Sequence, residues 1–169
     1  QSHERCSVVE VMGRHAGYLA LSVGISVGAT AVLIPERELN FEQDIVDKIR
    51  RARLAGTTHY MVVVAEGAGS TTEISQRIHE EVGIDPRVTV LGHIQRGGSP
   101  SAKDRETASC MGYNAVQAIA EHRGNCVVAT QDGRLTVMEM EEALKMKKTF
   151  HMERYQILES LINNNCGLV

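Results

Sequence analysis

Three short stretches combine glycine with charged or titratable side chains: EVMGRHAG at residues 10–17, EGAG at 66–69 and LGHIQRGG at 91–98. Glycine lets a backbone approach a ligand closely and leaves its N–H groups open. Arg14 and Arg96 each carry a planar fork of donors matched to a phosphate. Glu66 repels phosphate, but a carboxylate is a good acceptor for sugar hydroxyls. Arginines for a phosphate and a carboxylate for hydroxyls together describe a site for a sugar phosphate.

Each residue taken singly also has a plainer role. Arg14 can cap or salt-bridge at a helix start, Glu66 can pair with a surface cation, His93 can be a hydrogen-bonded loop residue, and Arg96 can be a solvated charge. Arg5 and Arg87 stand just before apolar runs, where a plain surface position is the simplest reading. If they serve the same site, they do so across an interface to a neighbouring chain.

The elements that must hold these residues follow from patterning. Apolar runs rich in Val and Ile alternate with segments at helical spacing, which marks a parallel sheet flanked by helices, an α/β fold. The expected strands are Cys6 to Met12, Ala31 to Ile34, Tyr60 to Ala65, Val88 to Leu91 and Val127 to Thr130. Their continuous apolar character predicts cover on both faces. Helices are expected at about His15 to Val27, Phe41 to Leu54, Thr71 to Val82 and Ala102 to Glu121. Pro35 ends one strand, Asn40 caps the helix opening at Phe41, Ser70 and Glu73 form a capping box, and Gly83 follows a last turn. From Lys145 onward, the KMKK run and the NNN triplet predict a peripheral helix or a frayed end. In such sheets ligands gather beyond the carboxyl ends of the strands, where all three glycine-bearing stretches fall.

Composition narrows the function further. A chain of 169 residues with 43% hydrophobic and 23% charged residues suits one ordinary domain or a piece of a larger one. A net charge of −3 and only 4% aromatic residues give nucleic-acid binding little support. Cys6, Cys110, Cys126 and Cys166 are scattered without a C-x-x-C pair, which argues for reduced thiols in a cytoplasmic protein and against a zinc site. No apolar run approaches the ~20 residues that span a bilayer. No G-x-S-x-G, H-E-x-x-H, P-loop or G-x-G-x-x-G pattern is present, and no histidine has metal-ligand spacing, so no metal site is expected. Asp104 reads as a first-turn helix residue and not as a catalytic one. The start at Gln1, without a methionine, suggests processing or a fragment.

The stretches RCSVVEVMGRHAGYLAL, VVVAEGAG and RVTVLGHIQRGGSPSAKDR, in this order and spacing, resemble the second half of the bacterial-type ATP-dependent 6-phosphofructokinases, collinear from Ser2 to about Glu142. The resemblance implies a homotetrameric, allosteric enzyme of glycolysis that moves the γ-phosphoryl of ATP, with Mg2+, to the 1-hydroxyl of fructose 6-phosphate. It implies that Met12, Gly13 and Arg14 form part of the fructose 6-phosphate site, with Arg14 near the transferring phosphoryl. Glu66 then accepts sugar hydroxyls, and His93, Ile94, Gln95 and Arg96 surround the 6-phosphate. Arg5 and Arg87 look like the pair that reaches that phosphate from the adjacent subunit.

The departures from the family pattern carry expectations of their own. The nucleotide loops, the magnesium-associated acids and the aspartate base of the family precede the region covered, so this chain alone is expected to lack kinase activity. At the family's effector positions stand Gly28, Ala29, Thr30, Thr57, Thr58 and His59, with threonines where lysines are expected, which implies a weak response to ADP or phosphoenolpyruvate. Residues 1–100 are expected to form a partial sugar-phosphate and effector domain, 101–142 a segment returning toward a missing domain, and 143–169 a tail. A pyrophosphate-dependent relative and a non-catalytic sugar-phosphate-binding module remain the alternatives.

Overall fold

The computed structural model describes residues 4–147 and 149–165, the last two by backbone only; Ser2, Lys148 and Cys166 lie outside the described residues. Two compact units divide the chain, one comprising residues up to Gly97 and from Phe150 on, the other Gly98–Thr149.

In the first unit, β1 (Arg5–Val11), β2 (Ala31–Leu33), β3 (His59–Ala65) and β4 (Pro86–Val90) pair in parallel in the order β2-β3-β1-β4. Side chains alternate between the faces of a strand, and here both faces are used. Cys6, Val8, Val62 and Val64 point to one side, where Ile49 of α2 (Asp47–Leu54) and Ile74 and Ile78 of α3 (Thr71–Val82) close over them. Val11, Val63 and Ala65 point to the other, against Ala20 and Leu21 of α1 (Tyr18–Val27). The expected parallel sheet flanked by helices is thus present.

Local signals account for most boundaries. Asn40 Oδ1 accepts from the Gln43 N–H at 3.1 Å and opens a π-helical turn, Glu42–Val46, that leads into α2. Ser70 Oγ accepts from the Glu73 N–H at 3.4 Å at the start of α3, and Gly83, at φ 74°, ends that helix. The helix expected from His15 starts only at Tyr18. Arg14 holds a left-handed φ of 51°, which no helix continues, and the Glu36 carboxylate accepts from the Gly17 N–H at 2.9 and 3.0 Å.

Three further expectations are corrected. The first concerns β4, which is not covered on both faces: it is one of the two edge strands, and Arg87 to Val90 are exposed. An apolar run reads the same at an edge as in a sheet centre.

The run at Val127 to Thr130 does not join the parallel sheet. As β5 (Cys126–Gln131) it forms an antiparallel hairpin with β6 (Arg134–Glu139) in the second unit. Asp132 and Gly133, at φ 51° and 77°, make the turn. The same unit contains α4 (Ala102–Ala120) and α5 (Met140–Lys145). Ser101 and Asp104 complete a reciprocal capping box on α4, and these hydrogen bonds hold the Asp104 carboxyl below its usual range.

The C-terminal helix, α6 (Met152–Asn165), is not peripheral: Tyr155, Leu158 and Ile162 are buried in the core on the α1 side of the sheet. Each such side chain contributes about 2 kcal/mol of burial. Polar links fix the register of α6, with Arg37 donating to the Tyr155 hydroxyl at 3.1 Å and the buried Lys48 pairing with Glu159 at 2.5 Å.

Candidate functional site

Because β3, β1 and β4 are neighbours and parallel, the loops leaving their carboxyl ends emerge side by side. The register carries Glu66 past the Val11–Ala65 pair and the His93–Arg96 turn past the Glu10–Val90 pair. Two hydrogen bonds extend the pairing into the loops, from Glu66 N–H to the Val11 carbonyl at 3.0 Å and from Leu91 N–H to the Glu10 carbonyl at 3.2 Å.

Glycine is required at two points of this edge. A Cβ on Gly67 would lie 1.9 Å from the Arg14 carbonyl oxygen, and one on Gly13 would lie 2.2 Å from that of Ala16. The Met12–Arg14 and Glu66–Gly67 segments therefore touch backbone to backbone. Across that contact the Arg14 N–H donates to Glu66 Oε1. Glu66 Oε2 has no partner among the described residues, so the carboxylate is anchored by one oxygen and open at the other.

The guanidinium of Arg14 is exposed and takes part in no hydrogen bond or ion pair among the described residues; the same holds for Arg96, Arg5 and Arg87. Elsewhere, arginines with a structural task are engaged. Arg53 holds Glu4 through two bonds of 2.8 Å, with the Tyr60 hydroxyl alongside, and keeps that carboxyl below the usual range. Arg77 lies 3.7 Å over the Phe41 ring. Uncommitted guanidinium groups are the ones available to an anion. His93, Ile94 and Arg96 are exposed and Gln95 half-buried in a 3-10 turn, Gly92–Arg96, entered through Gly92 at φ 47°.

Arg5 and Arg87 lie at the other end of the sheet, as their position before the strands requires. Along β1 the chain advances about 3.3 Å per residue, so Arg5 sits roughly 20 Å from the loop that bears Arg14. The two arginines line an open groove of about 860 Å³ together with Gly28, Thr30 and His59. Thr57 and Ala29 face a smaller adjoining cavity of about 220 Å³, which Lys48 and Leu158 also line. Thr30 is committed locally, since its hydroxyl accepts from the Met61 N–H at 3.2 Å, and Thr58 Oγ1 lies 2.9 Å from His59 Nδ1.

Among the described residues no group of three or more His, Cys, Asp or Glu is placed to hold a metal ion, and no helix is long and apolar enough to cross a membrane. Sequence reasoning passed over Glu10, Glu36 and Thr71, all of which brace this edge. Glu10 had a signal, a carboxylate on the apolar face shared with Cys6 and Val8.

A family model described as phosphofructokinase matches residues 1–119. The ATP-dependent 6-phosphofructokinases of Bacillus thuringiensis (strain Al Hakam) and Bacillus cereus (strain AH187) are each 46% identical over 160 residues, 95% of this chain and 50% of theirs. The chain thus spans about half the length of the curated relatives it matches. Phosphofructokinase from Saccharomyces cerevisiae superposes with a TM-score of 0.79 at 31% identity, over 98% of this chain and 22% of that one. The T-state enzyme of Pichia pastoris gives 0.76, also at 31% identity, over 98% of this chain and 20% of that one. With sequence, family model and fold in agreement, the chain belongs to the phosphofructokinase family.

Proposed function

We propose that this chain is the fructose 6-phosphate-binding half of an ATP-dependent 6-phosphofructokinase, acting in cytoplasmic glycolysis as part of a homotetramer. The observation that carries this reading is the pairing of Arg14 and Glu66: one main-chain bond fixes the carboxylate, while the Arg14 guanidinium stays uncommitted among the described residues. ATP as donor rests on the names of the Bacillus relatives.

In this reading the open oxygen of Glu66 accepts sugar hydroxyls and sets the orientation of the ring. Arg96 and the His93–Gln95 turn receive the 6-phosphate. Arg5 and Arg87, too distant within one copy, approach it from a neighbouring subunit. The Arg14 guanidinium neutralises charge that builds on the phosphoryl group in transit, where preorganised donors supply most of the catalysis. MgATP would supply the phosphoryl from residues outside this chain, and the base that takes the proton of the 1-hydroxyl would stand there too. Exposure of Tyr113, Val116 and Ile119 on α4 supports a further packing surface for that other half.

A coupled assay with calorimetry tests this. The purified chain is expected to bind fructose 6-phosphate weakly and to show no ATP-dependent turnover, whereas the protein at the full length of its relatives turns over. Robust turnover by the chain alone, or no fructose 6-phosphate binding by either form, overturns the proposal.

A further inference from the structure

Glu10 is a charged group on the face of β1 that otherwise carries Cys6 and Val8 into the core beneath α2 and α3. Its two acceptors engage the loops on either side. Its main-chain carbonyl takes the N–H of Leu91, where the chain leaves β4 for the His93–Arg96 turn. Its side-chain Oε2 takes the hydroxyl of Thr71, the first residue of α3, which is only 4% exposed.

The connection from Glu66 to Thr71 is therefore held from β1 and its following loop at both ends. At the start, Glu66 N–H bonds to the Val11 carbonyl and the Arg14 N–H bonds to the Glu66 carboxylate. At the end, Thr71 is tied to Glu10. In between, the Ala68 N–H donates to the Ala65 carbonyl at 2.8 Å, which tightens the turn. A hydroxyl donating to a carboxylate in a half-buried site is a charge-assisted bond, stronger than a neutral one.

We propose that Glu10 and Thr71 are positioning residues, whose hydrogen bond fixes the Glu66 loop against the Met12–Arg14 loop and so sets where the Glu66 carboxylate meets its ligand. The pair touches no substrate and acts through Glu66. The identity of the ligand rests on the fructose 6-phosphate reading, whereas the brace rests on the contacts just described.

Thr71→Val keeps shape and burial but removes the hydroxyl, and Thr71→Ser restores it. Amide hydrogen exchange at Arg14 and Ala68 is compared with that at Val63 and Val64 in the centre of β3, and fructose 6-phosphate affinity is measured by calorimetry. Thr71→Val is expected to speed exchange at Arg14 and Ala68 about tenfold, the scale of one buried hydrogen bond, with the β3 amides unchanged. The Kd for fructose 6-phosphate should rise by a similar factor of about ten, and Thr71→Ser should behave as wild type. Combined with Glu66→Ala, Thr71→Val should add less than about twofold to the Kd, because the two changes act on one interaction. If Thr71→Val fails to fold, Glu10→Gln, with a neutral acceptor in the same place, is expected to give about a threefold rise in exchange at the same amides. Unchanged exchange at Arg14 and Ala68, an equal rise across β3, or full additivity with Glu66→Ala overturns the proposal. Absence of fructose 6-phosphate binding by both the wild-type chain and the full-length protein overturns the ligand reading alone, and the exchange comparison still decides the brace.

Discussion

The main chain of Arg14 orients the carboxylate of Glu66 while the side chain of Arg14 remains uncommitted among the described residues. In the proposed reading one residue thus has two separable tasks. The first depends on a backbone φ of 51°, which costs a non-glycine residue roughly 1 kcal/mol. The second depends only on the guanidinium. Backbone strain retained beside a candidate site is consistent with a functional demand on that conformation.

Separating the two tasks gives a direct test. In the full-length protein, Arg14→Ala keeps the N–H and is expected to lower kcat about 100-fold or more, the scale for one lost transition-state donor, with weaker fructose 6-phosphate affinity besides. Arg14→Gly should lose the same activity yet melt higher than Arg14→Ala by about 1 kcal/mol of stability, since glycine accepts the left-handed φ. Steady-state kinetics beside thermal denaturation read both effects. Wild-type kinetics in Arg14→Ala would confine the residue to shaping the loop.

Gly28, Thr57 and His59 line one cavity, and where the family resemblance implies lysines at an effector site this chain has Thr57 and Thr58. We expect weak ADP binding by the full-length protein. Thr57→Lys with Thr58→Lys should tighten it by about tenfold at low salt and by much less at high salt. Calorimetry at two ionic strengths checks this, and tight micromolar ADP binding by the wild type would contradict it.

The pair between Lys48 and Glu159 ties α2 to α6, and its members are unequally buried at 3% and 29% side-chain exposure. Glu159→Ala strands a buried ammonium and should cost about 3 kcal/mol in urea denaturation. Changing Lys48→Met in the same protein should restore stability to within about 1 kcal/mol of wild type. A double variant no more stable than Glu159→Ala would show that α6 needs the charge pair itself.

Alkaline pH should loosen α6 as well. Burial, aided by the charge of Glu159, pushes the Tyr155 hydroxyl up from 10.0 to about 12. The folded state holds the proton more tightly than the unfolded state, so this contribution is complete below pH 10.0 and disappears as pH rises toward about 12. The Cys6 thiol, pushed by burial from 9.0 to about 11, adds a loss that begins earlier. Denaturation curves across this range should flatten in Tyr155→Phe, and an identical pH slope in that variant would count against the assignment.

The parallel core was readable because its strands are runs such as VVVA in which every residue is apolar, and because Ser70, Gly83 and Asn40 mark helix ends by local chemistry. Arg14, Glu66 and the His93–Arg96 turn were readable as a group because strand order in such a fold gathers carboxyl ends. The hairpin of β5 and β6 was missed although Asp132-Gly133 announces it, because the run at Val127 resembled one more buried strand. The docking of α6 was missed for another reason. Tyr155, Leu158 and Ile162 find most of their partners more than a hundred residues earlier in the chain, and no local window contains both sides of that contact. Glu10 escaped notice because its partner, Thr71, lies on a different element.

The burial of α6 also bears on the order in which this polypeptide can mature. The layer that Val11 and Ala20 begin is closed by Leu158 and Ile162, which are made more than a hundred residues later. At a ribosomal pace of about 5–20 residues per second, the apolar surface awaiting α6 stays open for seconds to tens of seconds while the intervening unit is made. During that interval the nascent protein presents a ready client surface to chaperones, and truncations that remove α6 should enter the insoluble fraction even though every candidate ligand-binding residue is retained.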